Sequence, residues 1–230
     1  MQIHNDCWLK DECNHVDCES SFCMKRYKLN YLYNSALVSE EQRKHLELVL
    51  DIDGTDLEEF KFLKGIEQDI LTFVKEGKQL YIHSSQAGNG KSSWSLRLLQ
   101  AYLNKVWPSS ALTCRALFVT TPKLLIALKD NISEKDEYAS YIKENILKAD
   151  LVVWDDIATK STTTFEAENL FSMIDARISS GKANIYTSNL NRDELHRAMG
   201  DRLMSRICSG SYDVELRGRD KRGLKYDIEN

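Results

Sequence analysis

The chain holds two prolines in 230 residues and no low-complexity run, which excludes proline-rich linkers and compositionally biased tails. It has no apolar stretch near the roughly 18 residues that a membrane-crossing helix needs. Its N-terminus, with Asp6, Asp11 and Glu12, lacks the pattern of a signal peptide, so the expectation is a cytoplasmic protein. A surplus of positive charge is missing too. Lys and Arg number 31 against 35 Asp and Glu, a formal net charge of -4. That excludes a histone-like binder and confines any nucleic-acid contact to a local patch on an acidic body. The length leaves room for one full α/β domain with a small appendage.

What the sequence does have is concentrated between Gln79 and Leu99, QLYIHSSQAGNGKSSWSLRLL. The apolar alternation of Leu80 and Ile82 leads into a polar, glycine-bearing loop. Gly90-Lys91-Ser92 closes the loop and opens a run with Leu96, Leu98 and Leu99 at helical spacing. Strand, loop, helix is the setting of a phosphate-binding P-loop. Small residues let consecutive backbone N–H groups turn around phosphate oxygens, and the following helix aims its positive end at them. Lys91 would place a point charge on the terminal phosphates and Ser92 a hydroxyl on Mg2+. The loop reads S-x-x-G-x-G-K-S, because Ser85 stands where the strict pattern has glycine. A chance glycine turn is the alternative.

Leu151-Val152-Val153-Trp154 followed by Asp155-Asp156 is an apolar run ending in two carboxylates, as a buried parallel strand delivers acids to a sheet's ligand-binding edge. Asp155 would hold Mg2+, and Asp156 would orient or deprotonate an attacking water. Alone, the hexapeptide is equally a core strand ending in a solvated turn. Further expected elements are two helices between Lys25 and Leu50, meeting near Val38 with Ser39 and Gln42 as a capping box, and one helical face over Leu57–Lys75. A strand over Arg115–Thr120 is followed by Thr121-Pro122 as a helix start, with helices over 123–129 and 134–147. A capping box of Thr163 and Glu166 opens a helix that Gly181 ends, and a strand over Ala183–Thr187 comes last. The alternation predicts a parallel, three-layer α/β fold. Asp51–Asp56 is a linker or an acidic loop within one body.

Four of the six cysteines fall in the first 26 residues, as Cys7, Cys13, Cys18 and Cys23 in the pattern C-x5-C-x4-C-x4-C, with His4 and His15 near them. A segment so short and polar would fold on the energy of a tetrahedral Zn2+. A plain cysteine cluster and an iron–sulfur centre are the alternatives. Cys114 and Cys208 read as buried small hydrophobes.

The motifs at Ser85–Ser92, Trp154-Asp155-Asp156, Tyr186-Thr187-Ser188-Asn189 and Gly200-Asp201-Arg202-Leu203-Met204-Ser205-Arg206 resemble the AAA+ ATPases of the DnaC/DnaI helicase-loader type. Phage-encoded members with a cysteine-bearing N-terminus are the nearest in kind. The resemblance covers residues 61 to 223. It implies an ATP and Mg2+ site formed by Ser85, Gly88, Asn89, Gly90, Lys91, Ser92, Ser93 and Asp155. It sets Asp156 where a catalytic glutamate is common, Asn189 at the sensor-1 position, and Arg206, or else Arg202, as an arginine finger for a neighbouring subunit. It further implies an AAA+ domain over 57–230 after a zinc-binding, partner-binding module over 1–56. The implied partners are a DnaB-type replicative helicase, single-stranded DNA reached through Lys123, Lys129, Lys135, Lys143 and Lys148, and further copies of the chain when ATP is bound. A transposition accessory ATPase similar to IstB and a non-catalytic, nucleotide-clipped helicase binder are the rival readings. The basic run Arg217–Gly223 is open between a phosphate or DNA contact and a solvated turn.

Overall fold

The computed structural model describes residues 7–9, 22–43, 48, 50, 54–130, 136–158, 163–208 and 210–221. Its centre is a five-stranded sheet of β1 (Gln79–His83), β2 (Ala116–Thr120), β3 (Leu151–Asp155), β4 (Ala183–Ser188) and β5 (Ser211–Glu215), in the order β2-β3-β4-β1-β5. Every neighbouring pair is parallel, so each connection must cross a face of the sheet, and helices fill both faces. The strand alternation sorts the core. Leu80, Ile82, Phe118, Val153 and Ile185 point to one side, where they meet α1 (Met24–Ser35), α2 (Leu57–Gln68), α3 (Ile70–Lys75) and α4 (Lys91–Val106). Tyr81, Val119, Val152, Trp154 and Tyr186 point to the other. There they meet α5 (Thr121–Asp130), α6 (Glu137–Asn145), α7 (Thr164–Ser179) and α8 (Arg192–Cys208). This is the expected three-layer α/β arrangement, and each fully buried aliphatic side chain stabilises it by about 1.5–3 kcal/mol. Among the described residues no helix is long and apolar enough to cross a membrane.

Several expectations change in detail. Between residues 25 and 50, the described residues form one α-helix and a short 3-10 turn over Glu41–Arg43. The Ser39–Gln42 capping pair is present on that turn, with bonds of 3.0 and 3.4 Å. The stretch from Leu57 to Lys75 is two helices, divided at Asp69 where the backbone leaves helical geometry (φ -110, ψ 33). Thr121 is the first residue of α5 and not its cap. Beyond the last expected strand lies β5, paired to β1, and α8 is broken at Gly200 (φ 76, ψ 165). α1, within the 1–56 stretch, lies on the common core, since Leu29, Leu32 and Tyr33 are at most 1 % exposed and the Phe118 amide donates to Ala36 O at 2.8 Å. The Thr163–Glu166 capping box opens α7 as expected.

Candidate nucleotide-binding site

All five strands run in one direction, so their carboxyl ends share one edge of the sheet, the edge where open α/β sheets bind ligands. β1 delivers the phosphate-binding loop there. Gly88 (φ 77) and Gly90 (φ 104) both take the left-handed conformation, which side chains other than glycine rarely tolerate. That backbone curls the loop back on itself. Lys91, only 8 % exposed, folds into the curl, and its Nζ donates to Gln86 O at 2.8 Å and Asn89 Oδ1 at 3.2 Å. Asn89 is buried, and its Nδ2 donates to Ser84 Oγ and to Leu216 O, the latter at 2.8 Å. α4 starts at Lys91 with neither a side-chain cap nor an acidic residue in its first turn, an end suited to an anion. Ser85 and Ser92 are exposed on the loop, and Ser93 is half-buried.

β3 brings Asp155 and Asp156 to the same edge, and β4 brings Thr187 and Asn189. The Thr187 hydroxyl donates to Asp155 Oδ1 at 2.8 Å and accepts from the Asp156 amide at 2.9 Å. One buried threonine therefore fixes both acids. Asp156 sits in left-handed backbone (φ 53), which turns its carboxyl away from the strand line toward Asn189, whose Nδ2 donates to it at 3.4 Å. Burial, and next the charge of Asp155, push the Asp156 carboxyl above the usual aspartate range, while Lys91 pulls the other way. The electrostatic influence of Lys91 ties the strand acid to the loop lysine.

The structure thus assembles Ser85, Gly88, Asn89, Gly90, Lys91, Ser92, Ser93, Asp155, Asp156 and Asn189 along the expected edge. Arg206 is elsewhere in the chain's own bonding. It lies on the second half of α8, 48 % exposed at the side chain, with its Nε 2.6 Å from Asp175 Oδ1 of α7. Arg202 stacks its guanidinium 4.5 Å from the Phe171 ring. Of the five lysines expected to meet DNA, Lys123 lies over the Tyr138 ring at 4.3 Å, Lys129 pairs with Glu166 and Lys148 with Glu144, both at 2.9 Å. Lys135 lies outside the described residues, as do Cys13 and Cys18 of the expected zinc set. Cys7 packs partly buried against the core. The Cys23 Sγ caps α1 by accepting from the Arg26 amide at 3.5 Å.

Sequence reasoning missed two participants. Thr187 reads as an ordinary strand residue, yet it sits directly before the sensor-like Ser188-Asn189 and joins both acids. Asp56 reads as part of an acidic loop, but its carboxylate is buried and accepts the amides of Arg217 at 2.7 Å and Gly218 at 2.8 Å. No local pattern signals a pairing across so much of the chain.

A model of the bacterial DnaA ATPase domain matches residues 74–212, from just before β1 into β5. The curated replicative helicase loader DnaC of Escherichia coli strain K12 is 24% identical over 131 residues, 57% of this chain and 51% of the loader. The chain thus spans about half the length of the curated relatives it matches. A crystal structure of the DnaC helicase loader superposes with a TM-score of 0.56 at 18% identity, over 82% of this chain and 99% of that one. A replication initiator DnaA bound to AMPPCP and single-stranded DNA gives a TM-score of 0.54 at 19% identity, over 74% of this chain and 48% of that one. Both are likenesses of fold.

Proposed function

The chain belongs to the bacterial DnaA ATPase domain family, and from that premise we propose that it is a cytoplasmic ATPase that loads a ring-shaped, DnaB-type replicative helicase onto single-stranded DNA. The observation that carries the reading is the convergence of Lys91, Asp155, Asp156 and Asn189 on one edge of the sheet, with the Thr187 hydroxyl bonded to Asp155 and to the Asp156 amide. The helicase partner is supported by the curated relatives, which are replicative helicase loaders.

The residues fit ATP and Mg2+ on the observation of an uncapped helix N-terminus behind two left-handed glycines. Lys91 and the first amides of α4 would hold the polyphosphate. The hydroxyl of Ser92 and the carboxylate of Asp155, oriented by Thr187, would hold Mg2+, which supplies neutralising charge when bound. Asp156 would accept the proton of the attacking water. Its raised pKa strengthens it as a base, although it is one methylene shorter than a glutamate, so slow turnover is expected. Asn189 would orient that water through the hydrogen-bonding capacity it already shares with Asp156.

Arg206 of one copy would complete the site of the next, giving an ATP-dependent homo-oligomer. Single-stranded DNA would lie along α5 and α6, and Cys7, Cys13, Cys18 and Cys23 would hold one Zn2+ in a helicase-gripping module within residues 1–56. The test is co-purification with a replicative helicase, combined with ATP turnover measured with and without single-stranded DNA. Binding to the helicase and stimulation by single strands are expected. Preference for duplex DNA without helicase binding would favour a transposition accessory role instead.

A further inference from the structure

The segment after β5 crosses back over the phosphate-binding loop. The Leu216 amide donates to His83 O at 2.8 Å, and Leu216 O accepts from Asn89. The amides of Arg217 and Gly218 are gripped by the buried Asp56 carboxylate. At the far end the Lys221 amide donates to Gly88 O at 3.0 Å. Between these anchors the Asp220 side chain rests against the loop itself. A methyl group built on Gly88 would lie 1.8 Å from Asp220 Oδ1 and 2.2 Å from its carboxyl carbon. The left-handed backbone of Gly88 favours glycine there, and the Asp220 carboxylate occupies the space that a side chain would take.

We propose that Leu216–Lys221 is a strap that gates the nucleotide site, with Asp220 setting the loop's affinity for a polyphosphate by placing a negative charge against Gly88. The inference rests on the nucleotide reading of the loop and adds its regulation. A carboxylate and a polyphosphate repel one another, and a charge held against Gly88 lies beside the loop that would take the polyphosphate. The two ends of the strap are held unequally. Arg217 and Gly218 each donate to a buried charged acceptor, the stronger kind of hydrogen bond, whereas Lys221 makes a backbone bond to the loop that the ligand itself engages. Phosphate binding therefore lifts Arg219–Lys221 while the Asp56 anchor stays. Lys221 leaves the loop with it, while Arg217 stays at the Asp56 anchor.

The test uses the full chain and AMPPCP, a non-hydrolysable ATP analogue. Asp220→Ala and Asp220→Asn should bind the analogue roughly three- to tenfold more tightly, because relief of a closed state raises apparent affinity by the competent fraction gained. Asp220→Glu, which keeps the charge, should not. In the unmodified chain, adding the analogue should speed hydrogen exchange at the Lys221 amide and leave the Arg217 and Gly218 amides protected. Asp220 is exposed, so its variants should fold, and the exchange measurement needs no variant. Equal affinities across the Asp220 variants, or a Lys221 amide equally or better protected with the analogue bound, would overturn the strap while leaving the nucleotide site standing. Failure of every variant and of the unmodified chain to bind any nucleotide would overturn both.

Discussion

Lys91 is held inward by its own loop, with two acceptors on Nζ and little solvent contact, so its charge is already placed within the curl of the glycines. Lys91→Ala should abolish measurable binding of a labelled ATP analogue, and undiminished affinity would contradict the site. Asp156 makes a second prediction at this scale. Burial and the neighbouring Asp155 charge favour its protonated form, so the folded chain holds that proton to higher pH than the unfolded chain does. Its ionisation therefore costs stability as pH rises from the ordinary aspartate value through the raised one, and above that window the cost is fully present. Asp156→Asn should accordingly melt at a higher temperature than the unmodified chain at pH 7. That difference should shrink toward zero as pH falls below the ordinary aspartate value, while ATP turnover drops by about 10^2-fold or more. Thermal melts at the two pH values check the first part, and a variant less stable at neutral pH would refute the account of Asp156.

At the scale of elements, one arginine joins more of the fold than any motif reveals. Arg177 of α7 is fully buried. Its Nε donates to Asn184 Oδ1 at 2.7 Å, and its other nitrogens reach Ile146 O, Ala149 O at 2.9 Å and Ala183 O at 2.6 Å, so α7 is pinned to β4 and to the turn before β3. Burial lowers its pKa to about 10, which still leaves it charged at neutral pH. Arg177→Ala would strand several buried acceptors and should cost about 3–5 kcal/mol, a fall in Tm of roughly 10 °C for a chain of this size. A change within about 2 °C would show that the network is dispensable. Nothing in the sequence marks Arg177, because a charged residue in an amphipathic helix reads as solvent-facing. β3 was legible as a continuous apolar run ending in acids, and β1 as an apolar alternation leading into the glycine loop. β5 was not: Tyr212 and Asp213 are exposed and Val214 is the residue it buries, so SYDVE carries no apolar run. The loop lysine and both acids were legible from spacing and Asn189 from the family resemblance, whereas the Asp56 clamp and the strap on Gly88 depend on contacts between distant segments that no window of sequence contains.

At the scale of the whole molecule, catalysis is expected to be completed between copies. The surface ion pair of Arg206 with Asp175 contributes about 0–1 kcal/mol, so Arg206→Ala should fold normally and lose ATPase activity for want of charge at the neighbour's terminal phosphate, an effect of about 10^3- to 10^5-fold in other NTPases. Arg206→Ala and Lys91→Ala chains, each inactive alone, should regain activity when mixed, because some junctions then hold both residues. Silence in a mixture shown to co-assemble would reject the finger. The loader reading itself is tested most directly on closed circular single-stranded DNA, by asking whether a replicative helicase becomes stably retained on the circle when this chain and ATP are added. Retention that requires ATP and is lost with Lys91→Ala is the predicted result. Retention equal with and without the chain, or undiminished by Lys91→Ala, would contradict it.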